Sequence, residues 1–165
     1  MRRPVLVLAP LILACCGSAA LAETFPARVV GISDGDTITV LAAGNQHRKI
    51  RLAGIDAPEK KQAFGQRSRQ HLADLVFGKN VVLDCVKVDR YRRDVCVVLV
   101  GGRDANLAQV EAGMAWWYRK YSREQTAQQR VDYEAAEGRA RAARAGLWVD
   151  PYPVPPWEWR KRQRQ

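Results

Sequence analysis

The sequence lacks the features of several large protein classes. After residue 22, no apolar stretch approaches the roughly 20 residues that a membrane-spanning helix requires, which excludes a multi-pass transporter. Only two histidines are present, and neither has the Cys/His spacing of a zinc site. The motif G-x-G-x-x-G and the phosphate-binding P-loop are also absent. With 165 residues and no internal repeat, the chain has room for one ordinary domain but not for a large multidomain enzyme.

The chain is also short of acids. Its 27 lysines and arginines outnumber its 17 aspartates and glutamates, which gives a formal net charge of +10. The apolar share of 47% is nevertheless that of a folded globular protein. A protein with this charge attracts polyanions, and the attraction weakens as salt is added.

The first 22 residues differ from the rest of the chain. Met1-Arg2-Arg3 is positively charged, Val5–Ala14 is almost wholly apolar, and Ala20-Leu21-Ala22 provides a small-x-small cleavage site. This pattern predicts a secretory signal peptide that is removed after Ala22, and hence an exported protein, either periplasmic or secreted. The alternatives are a buried N-terminal helix and a lipoprotein signal with lipid attached at Cys15.

Export bears on the cysteines that remain. Removal of residues 1–22 takes away Arg2 and Arg3 but no acid, so the net charge falls from +10 to +8. Two cysteines leave with that segment, and Cys85 and Cys96 stay. Thiols tend to pair in an oxidising compartment, which favours a disulfide between these two residues. The alternative is two buried thiols on neighbouring strands.

Five short apolar or β-branched segments predict the strands of a small barrel. They cover residues 28–32, 37–41, 47–53, 81–88 and 95–100. A helix is predicted between the third and fourth strands. This order is typical of the five-stranded oligonucleotide/oligosaccharide-binding (OB) barrel. The predicted fold class is α+β, mainly β, with about three helices.

The three helices are predicted from spacing and from their stop residues. The first covers residues 63–77, and a short second one covers about 104–113. The third is long and Ala-rich, over residues 123–144. Ala127, Val131 and Ala135 are expected to form its buried seam.

These patterns divide the chain into three predicted parts. They are a signal peptide over residues 1–22, a barrel domain over 23–150 and a Pro-, Trp- and Arg-rich tail over 151–165. The tail is a candidate for binding a partner. We expect the protein itself to be a monomer with no membrane span.

Four acids lie within 26 residues, close to the predicted strand ends. Asp34 and Asp36 precede the second strand, whereas Asp56 and Glu59 follow the third. Neighbouring strands could bring these ends together. Two or three carboxylates with a backbone carbonyl form a hard-oxygen site that suits Ca²⁺ or Mg²⁺. The alternative is that Asp34-Gly35-Asp36 is only a turn.

Two arginines are candidates for phosphate binding. Arg51 lies in the third strand and Arg93 at the tip of the hairpin between the fourth and fifth strands. A guanidinium matches a phosphate with two parallel hydrogen bonds. The alternative is that both lie on a solvated face, as most of the basic residues do. Among the aromatic residues, Trp116 is typical of a core, and Tyr121 is a candidate for stacking on a base.

Three spaced motifs stand out: Asp34-Gly35-Asp36-Thr37, the segment RLAGIDAPE over residues 51–59, and Asp89-Arg90-Tyr91-Arg92-Arg93. Together they resemble the staphylococcal nuclease (thermonuclease) family. The resemblance continues in family order through Asn106-Leu107, Gly113–Trp116 and Gly146–Trp148. It covers nearly all of the chain that follows the predicted signal peptide.

The resemblance implies a five-stranded barrel with three helices and a Ca²⁺-dependent phosphodiesterase that acts on DNA and RNA. By position, Asp36 and Asp56 match the calcium carboxylates. Ala57 matches the residue whose backbone carbonyl also binds calcium. Glu59 matches the general base for the attacking water, and Asp34 matches an acid that shapes the metal site.

The same resemblance assigns the substrate contacts. Arg51 and Arg93 match the arginines that bind the scissile phosphate. Arg90 and Tyr91 of the hairpin motif, together with Tyr121, are the predicted substrate-binding residues. None of these groups reads base edges, so we expect little sequence specificity.

The chain departs from the family pattern at three places. Ala57 stands where Thr is frequent, which keeps a backbone ligand but removes a hydroxyl contact to water in the metal site. Arg92 stands where Gly is usual, which could alter the turn that presents Arg93. Residues 117–121 also differ from the best-known member.

A binding module that holds nucleic acid or protein without cleaving it is the alternative to an enzyme. Relatives without activity typically lack the acids or the arginines. All five of these residues are present here: Asp36, Arg51, Asp56, Glu59 and Arg93. Their presence favours the enzyme.

Overall fold

Five strands close into a barrel in this structure, a computed structural model that describes residues 23–164. The described residues contain eight strands: β1 (Glu23–Ile32), β2 (Thr37–Ala42), β3 (Gln46–Leu52), β4 (Ile55–Asp56), β5 (Asn80–Val88), β6 (Asp94–Val100), β7 (Arg103–Asp104) and β8 (Trp116–Trp117). The short strands β4, β7 and β8 are not part of the barrel. The order around the barrel is β3-β2-β1-β5-β6, and a parallel pairing of β3 with β6 closes it. The predicted α+β class with a five-stranded OB barrel is therefore confirmed. The predicted signal peptide and Cys15 lie outside the described residues.

β1 is longer than the sequence predicted, because it begins at Glu23 instead of residue 28. Its first half pairs with β5 and its second half with β2. The register shifts between Val29 and Gly31, where a bulge lets one strand serve two neighbours. The early segment was missed because it is largely exposed and contains Pro26, which argues against a strand.

Four α-helices and three short 3₁₀ helices accompany the barrel within residues 23–164. The α-helices are α1 (Gly65–Val76), α2 (Ala105–Glu111), α3 (Ala127–Ala142) and α4 (Pro156–Arg162). The 3₁₀ helices are Ala43–Asn45, Arg119–Glu124 and Gly146–Val149. α1, α2 and α3 correspond to the three helices that the sequence predicted, and α4 in the tail was not predicted. Over the described part of the chain, no helix is long and apolar enough to cross a membrane.

The prediction for α3 was wrong at its start. The helix begins at Ala127 because Thr126 caps it: the Thr126 hydroxyl accepts a hydrogen bond from the Gln129 backbone, and the Gln129 side chain returns one to the Thr126 N–H. Residues 119–124, which the sequence placed partly in this helix, form a 3₁₀ helix.

The predicted seam of α3 was also wrong. Val131 is 62% exposed, and Ala127 and Ala135 are exposed as well. The buried face consists of Tyr133, Ala136, Glu137 and Ala140. Its two polar members tolerate burial because both have partners. The Tyr133 hydroxyl donates to Asp104 (2.8 Å), and Glu137 accepts from the Trp117 N–H (3.1 Å).

Two apolar clusters organise the interior. The larger fills the barrel and the space beneath α1 and α3. The smaller contains Trp116, Leu147 and Trp148, with Trp157 of α4 packed against it. A disulfide joins Cys85 of β5 to its cross-strand partner Cys96 of β6, as the sequence predicted.

Candidate active site

The turn before β2 presses against α1. Asp34 accepts a hydrogen bond from the Asp36 N–H (3.1 Å), and the Asp36 carbonyl accepts one from the Leu52 N–H (2.8 Å). A Cβ atom at Gly35 would lie 1.8 Å from the Ser68 hydroxyl, so only glycine fits here. Asp34-Gly35-Asp36 is thus a turn. Because the turn packs against α1, the backbone of Asp36 has a fixed position.

One guanidinium joins the two acids that the sequence assigned to calcium. Arg51 faces Thr37 across the β2–β3 pair, which brings it beside Asp36. Its Nη1 lies 3.0 Å from Asp36 Oδ2, and its Nη2 lies 3.0 Å from Asp56 Oδ1. The Ala57 N–H donates to Asp36 Oδ2 at 2.7 Å. Both acids are buried, with 6% of Asp36 and none of Asp56 exposed.

Burial dominates the electrostatics of Asp36. The loss of water around the carboxylate raises its pKa to about 8, against the opposing effect of the Arg51 guanidinium. The nearby charges of Asp34 and Asp56 raise the pKa further, and the hydrogen bond from Ala57 lowers it. The Asp36 carboxyl therefore holds a proton more tightly than an aspartate in water does.

The hairpin between β5 and β6 presents Arg93 to the same place. Arg92 has a φ of 60°, the left-handed conformation that glycine adopts most easily. The Asp89 carboxylate holds the turn, because it accepts hydrogen bonds from the backbone of Tyr91 (2.8 Å) and of Arg93 (3.0 Å). Arg93 pairs with Asp89 and donates to Thr37 Oγ1 at 3.4 Å. The turn therefore forms with arginine in the position where glycine is usual.

The three predicted substrate contacts lie at the surface. Tyr91 is 60% exposed and accepts a hydrogen bond from Arg90 (2.7 Å), while the Arg93 guanidinium lies 5.3 Å from its ring centre. Tyr121 is exposed too, with the Lys87 ammonium 4.6 Å from its ring centre. Arg90 and Tyr91 are thus beside Arg93, and all three substrate-binding roles stay predictions.

Sequence reasoning missed Arg160, which lies on α4 and reaches the site. Its Nη2 lies 2.7 Å from Asp56 Oδ2, and its Nη1 lies 3.1 Å from Asp56 Oδ1 and 2.8 Å from Glu59 Oε1. One signal could have indicated the helix. Pro156 stands at its first position, where proline is favoured, and Trp-Glu-Trp-Arg follows.

Gln62 and Tyr118 were also missed. Gln62 accepts a hydrogen bond from the Glu59 N–H (3.1 Å) and donates one to the Val154 carbonyl (2.6 Å). The ring of Tyr118 stacks on Trp157 with centres 5.2 Å apart and planes inclined by 11°. Neither residue follows a pattern in the sequence that would have indicated these contacts.

The donor atoms of the site fit a calcium ion. Among residues 23–164, no three His, Cys, Asp or Glu side chains lie close enough together to form a metal cluster. The candidate donors are therefore the carboxylates of Asp36 and Asp56 and the backbone carbonyl of Ala57. These are hard oxygen ligands, which Ca²⁺ accepts together with water in a flexible geometry.

Comparison with known proteins gives consistent matches. The family model described as "Staphylococcal nuclease homologue" matches residues 49–150. An "Uncharacterized endonuclease" of Haemophilus influenzae is 43% identical over 164 residues, which cover 99% of this chain and 89% of the relative. A "Micrococcal nuclease" of Shigella flexneri is 46% identical over 149 residues, 85% of this chain and 83% of the relative. "Protein ParB" of Escherichia coli is 45% identical over 143 residues, 81% and 77% respectively.

Proposed function

This chain belongs to the family of staphylococcal nuclease homologues and is a nuclease, and we propose that it is exported, depends on Ca²⁺ and hydrolyses phosphodiester bonds of DNA and RNA. One observation supports this proposal above the others. A continuous series of polar contacts connects every side chain that the sequence motifs single out for catalysis and for binding calcium. In order, it runs Arg93, Thr37, Asp36, Arg51, Asp56, Arg160 and Glu59.

The acids would hold the metal. Asp36 and Asp56, with the carbonyl of Ala57, would bind Ca²⁺, and the ion would supply positive charge beside the phosphate and help to place the attacking water. Mg²⁺ demands a tighter octahedral geometry, so we expect it to support cleavage poorly.

The remaining side chains would perform the hydrolysis. Water attacks phosphorus while the bond to the leaving oxygen breaks, and negative charge grows on the phosphoryl oxygens. Arg51 and Arg93 would stabilise that charge through hydrogen bonds. Glu59 would accept the proton of the water through a carboxylate oxygen.

The proposed substrate class is based on the protein surface, and proposed export is based on residues 1–22. The basic chain would attract the phosphate backbone of any nucleic acid, and the exposed Tyr91 and Tyr121 offer rings for contacts that every base can make. We therefore propose little sequence specificity. Export is proposed from the signal-peptide pattern of residues 1–22.

Cleavage assays test the catalytic part of this proposal. Single- and double-stranded DNA and RNA would be incubated with the protein in Ca²⁺, Mg²⁺ or EDTA. We expect cleavage in Ca²⁺ and a loss of about 10²- to 10⁴-fold in Glu59→Gln, because a general base contributes that much. Glu134→Gln, a change at an exposed acid of α3, is the matched control.

Three results would contradict the proposal. Wild-type rates in Glu59→Gln would remove Glu59 as the base. Salt-sensitive binding without cleavage in any metal would favour the binding module. N-terminal sequencing of the exported protein should give Glu23 as the first residue, and a lipid-modified Cys15 would show a lipoprotein instead.

A further inference from the structure

We propose that residues 154–160 are part of the active site and that Arg160 is a positioning residue, which holds Glu59 in place for proton transfer. This inference rests on the proposed function and deepens it. It adds the C-terminal segment, residues 154–160, to a site that is otherwise built on the barrel and its loops.

The Glu59 side chain needs such support because its own loop restrains only the backbone, where the Gln62 N–H donates to the Glu59 carbonyl at 2.8 Å. Residues 57–64 connect β4 to α1 without a strand or helix. The Glu59 side chain is 38% exposed, whereas that of Asp56, three residues earlier, is 1% exposed. A long side chain on a solvated loop samples several rotamers unless other groups restrict it.

The C-terminal segment restricts Glu59 at two points. At the side chain, Arg160 Nη1 donates to Glu59 Oε1 at 2.8 Å. At the backbone, Gln62 accepts from the Glu59 N–H and donates to the Val154 carbonyl at 2.6 Å. Both restraints therefore depend on the position of the same short segment.

Aromatic packing determines where that segment lies. Trp157 stacks on Tyr118, and it meets Trp116 edge-on at 5.6 Å between ring centres. Pro156 beside it is buried. α4 has only seven residues, too few for an isolated helix to be stable, so this packing must hold it in place.

The geometry of Arg160 links the base to the metal site. Its Nη1 lies within hydrogen-bond distance of both Asp56 Oδ1 and Glu59 Oε1. One nitrogen atom thus sets the separation between a candidate calcium ligand and the candidate base. A base that is displaced by about 1 Å can lose on the order of 10²-fold in rate. Arginine suits this task because its donors form a rigid fork, which lysine lacks.

Steady-state kinetics of Arg160→Ala and Arg160→Lys test the inference. We expect kcat in Arg160→Ala to fall by about 10- to 100-fold, with KM for DNA changed by less than about threefold. Arg160→Lys should recover part of kcat, because an ammonium can still bind Glu59. Arg162→Ala, which removes the same charge from an exposed position of α4, should match the wild type.

Calcium binding and unfolding measurements separate positioning from other roles. Calorimetric titration of Arg160→Ala with Ca²⁺ should show binding at least as tight as in the wild type, because a positive charge beside Asp56 is removed. Thermal unfolding should show a folded protein. If Arg160→Ala unfolds, Gln62→Leu removes the backbone restraint alone and should lower kcat in the same way, by about threefold or more.

Four results would overturn the inference. A higher kcat in Arg160→Ala would identify Arg160 as a competitor of the cation, and lost calcium binding would make it a support of the metal site. Wild-type kcat in Arg160→Ala, with Glu59→Gln inactive, would reject positioning while the proposed function stands. No cleavage by the wild type in any metal would reject both.

Discussion

The two halves of the active site are held in different ways. Asp36 and Arg51 belong to the barrel, where the pairing of β2 with β3 places them side by side and both are largely buried. Glu59 belongs to a loop, and the contact that restrains its side chain comes from Arg160, 101 residues further along the chain. We refer to these as the barrel half and the loop half.

This difference separates stability from activity. In the barrel half, the residues proposed for catalysis are also buried ion pairs, so a change there disturbs the fold as well as the chemistry. In the loop half, the contacts are partly exposed and lie outside the barrel, so a change there alters the position of Glu59 and leaves the core intact. The predictions below compare the two halves by measuring unfolding and cleavage together.

The largest effect is expected from Arg51→Met in the barrel half. The substitution leaves Asp36 and Asp56 without the guanidinium that they share, and breaking such a buried pair costs about 3 kcal/mol. Urea unfolding without metal should show this loss, and cleavage should disappear as well. Lys49→Met on the exposed side of β3 should change neither. An unchanged free energy of unfolding in Arg51→Met would show that the barrel half is not stabilised by this pair.

Loss of the disulfide should lower the free energy of unfolding slightly less than Arg51→Met does. Cys85→Ala/Cys96→Ala removes a cross-link with a sequence separation of 11 between β5 and β6, and a loop of this length is worth about 2–3 kcal/mol. Urea unfolding should show that loss, while cleavage should fall less than stability because the Asp89 carboxylate still holds the Arg93 turn. Free thiols that react with an alkylating agent in freshly exported protein would contradict the pairing.

The smallest effect is expected from Trp157→Ala in the loop half. Loss of the stacking on Tyr118 should release α4 and reduce kcat by about tenfold, or 1.4 kcal/mol of activation free energy. The free energy of unfolding should fall by about 1–2 kcal/mol, less than in Arg51→Met, because Trp157 packs at the edge of the smaller apolar cluster and outside the barrel. Trp159→Ala on the same helix is the control. A large loss of stability in Trp157→Ala would erase the distinction between the halves.

Much of the barrel could be predicted because its strands follow local rules. β-branched runs separated by turn residues predicted the five strands, and the resemblance to the staphylococcal nuclease family indicated which acids and arginines form the site. Roles for Asp34, Asp36, Arg51, Asp56, Ala57, Glu59, Arg90, Tyr91, Arg93 and Tyr121 stay predictions, whereas the structure does bring the acids, Arg51 and Arg93 together. α3 was predicted less well, because a seam of small apolar residues was favoured over Tyr133 and Glu137, whose burial depends on partners in other elements.

The sequence by itself determined the order of the five barrel strands and of α1, α2 and α3, the turn at Asp34-Gly35-Asp36 and the kinds of donor atom in the site, because these depend on residue types and on spacing within a few residues. Only the tertiary structure decided that Arg160 meets Glu59 and that Gln62 joins the loop to Val154. Those contacts join residues that are 101 and 92 positions apart. They form because Trp157 packs on Tyr118 and Trp116. No local sequence pattern predicts these contacts, because they depend on how the closed barrel and α3 bring distant parts of the chain together.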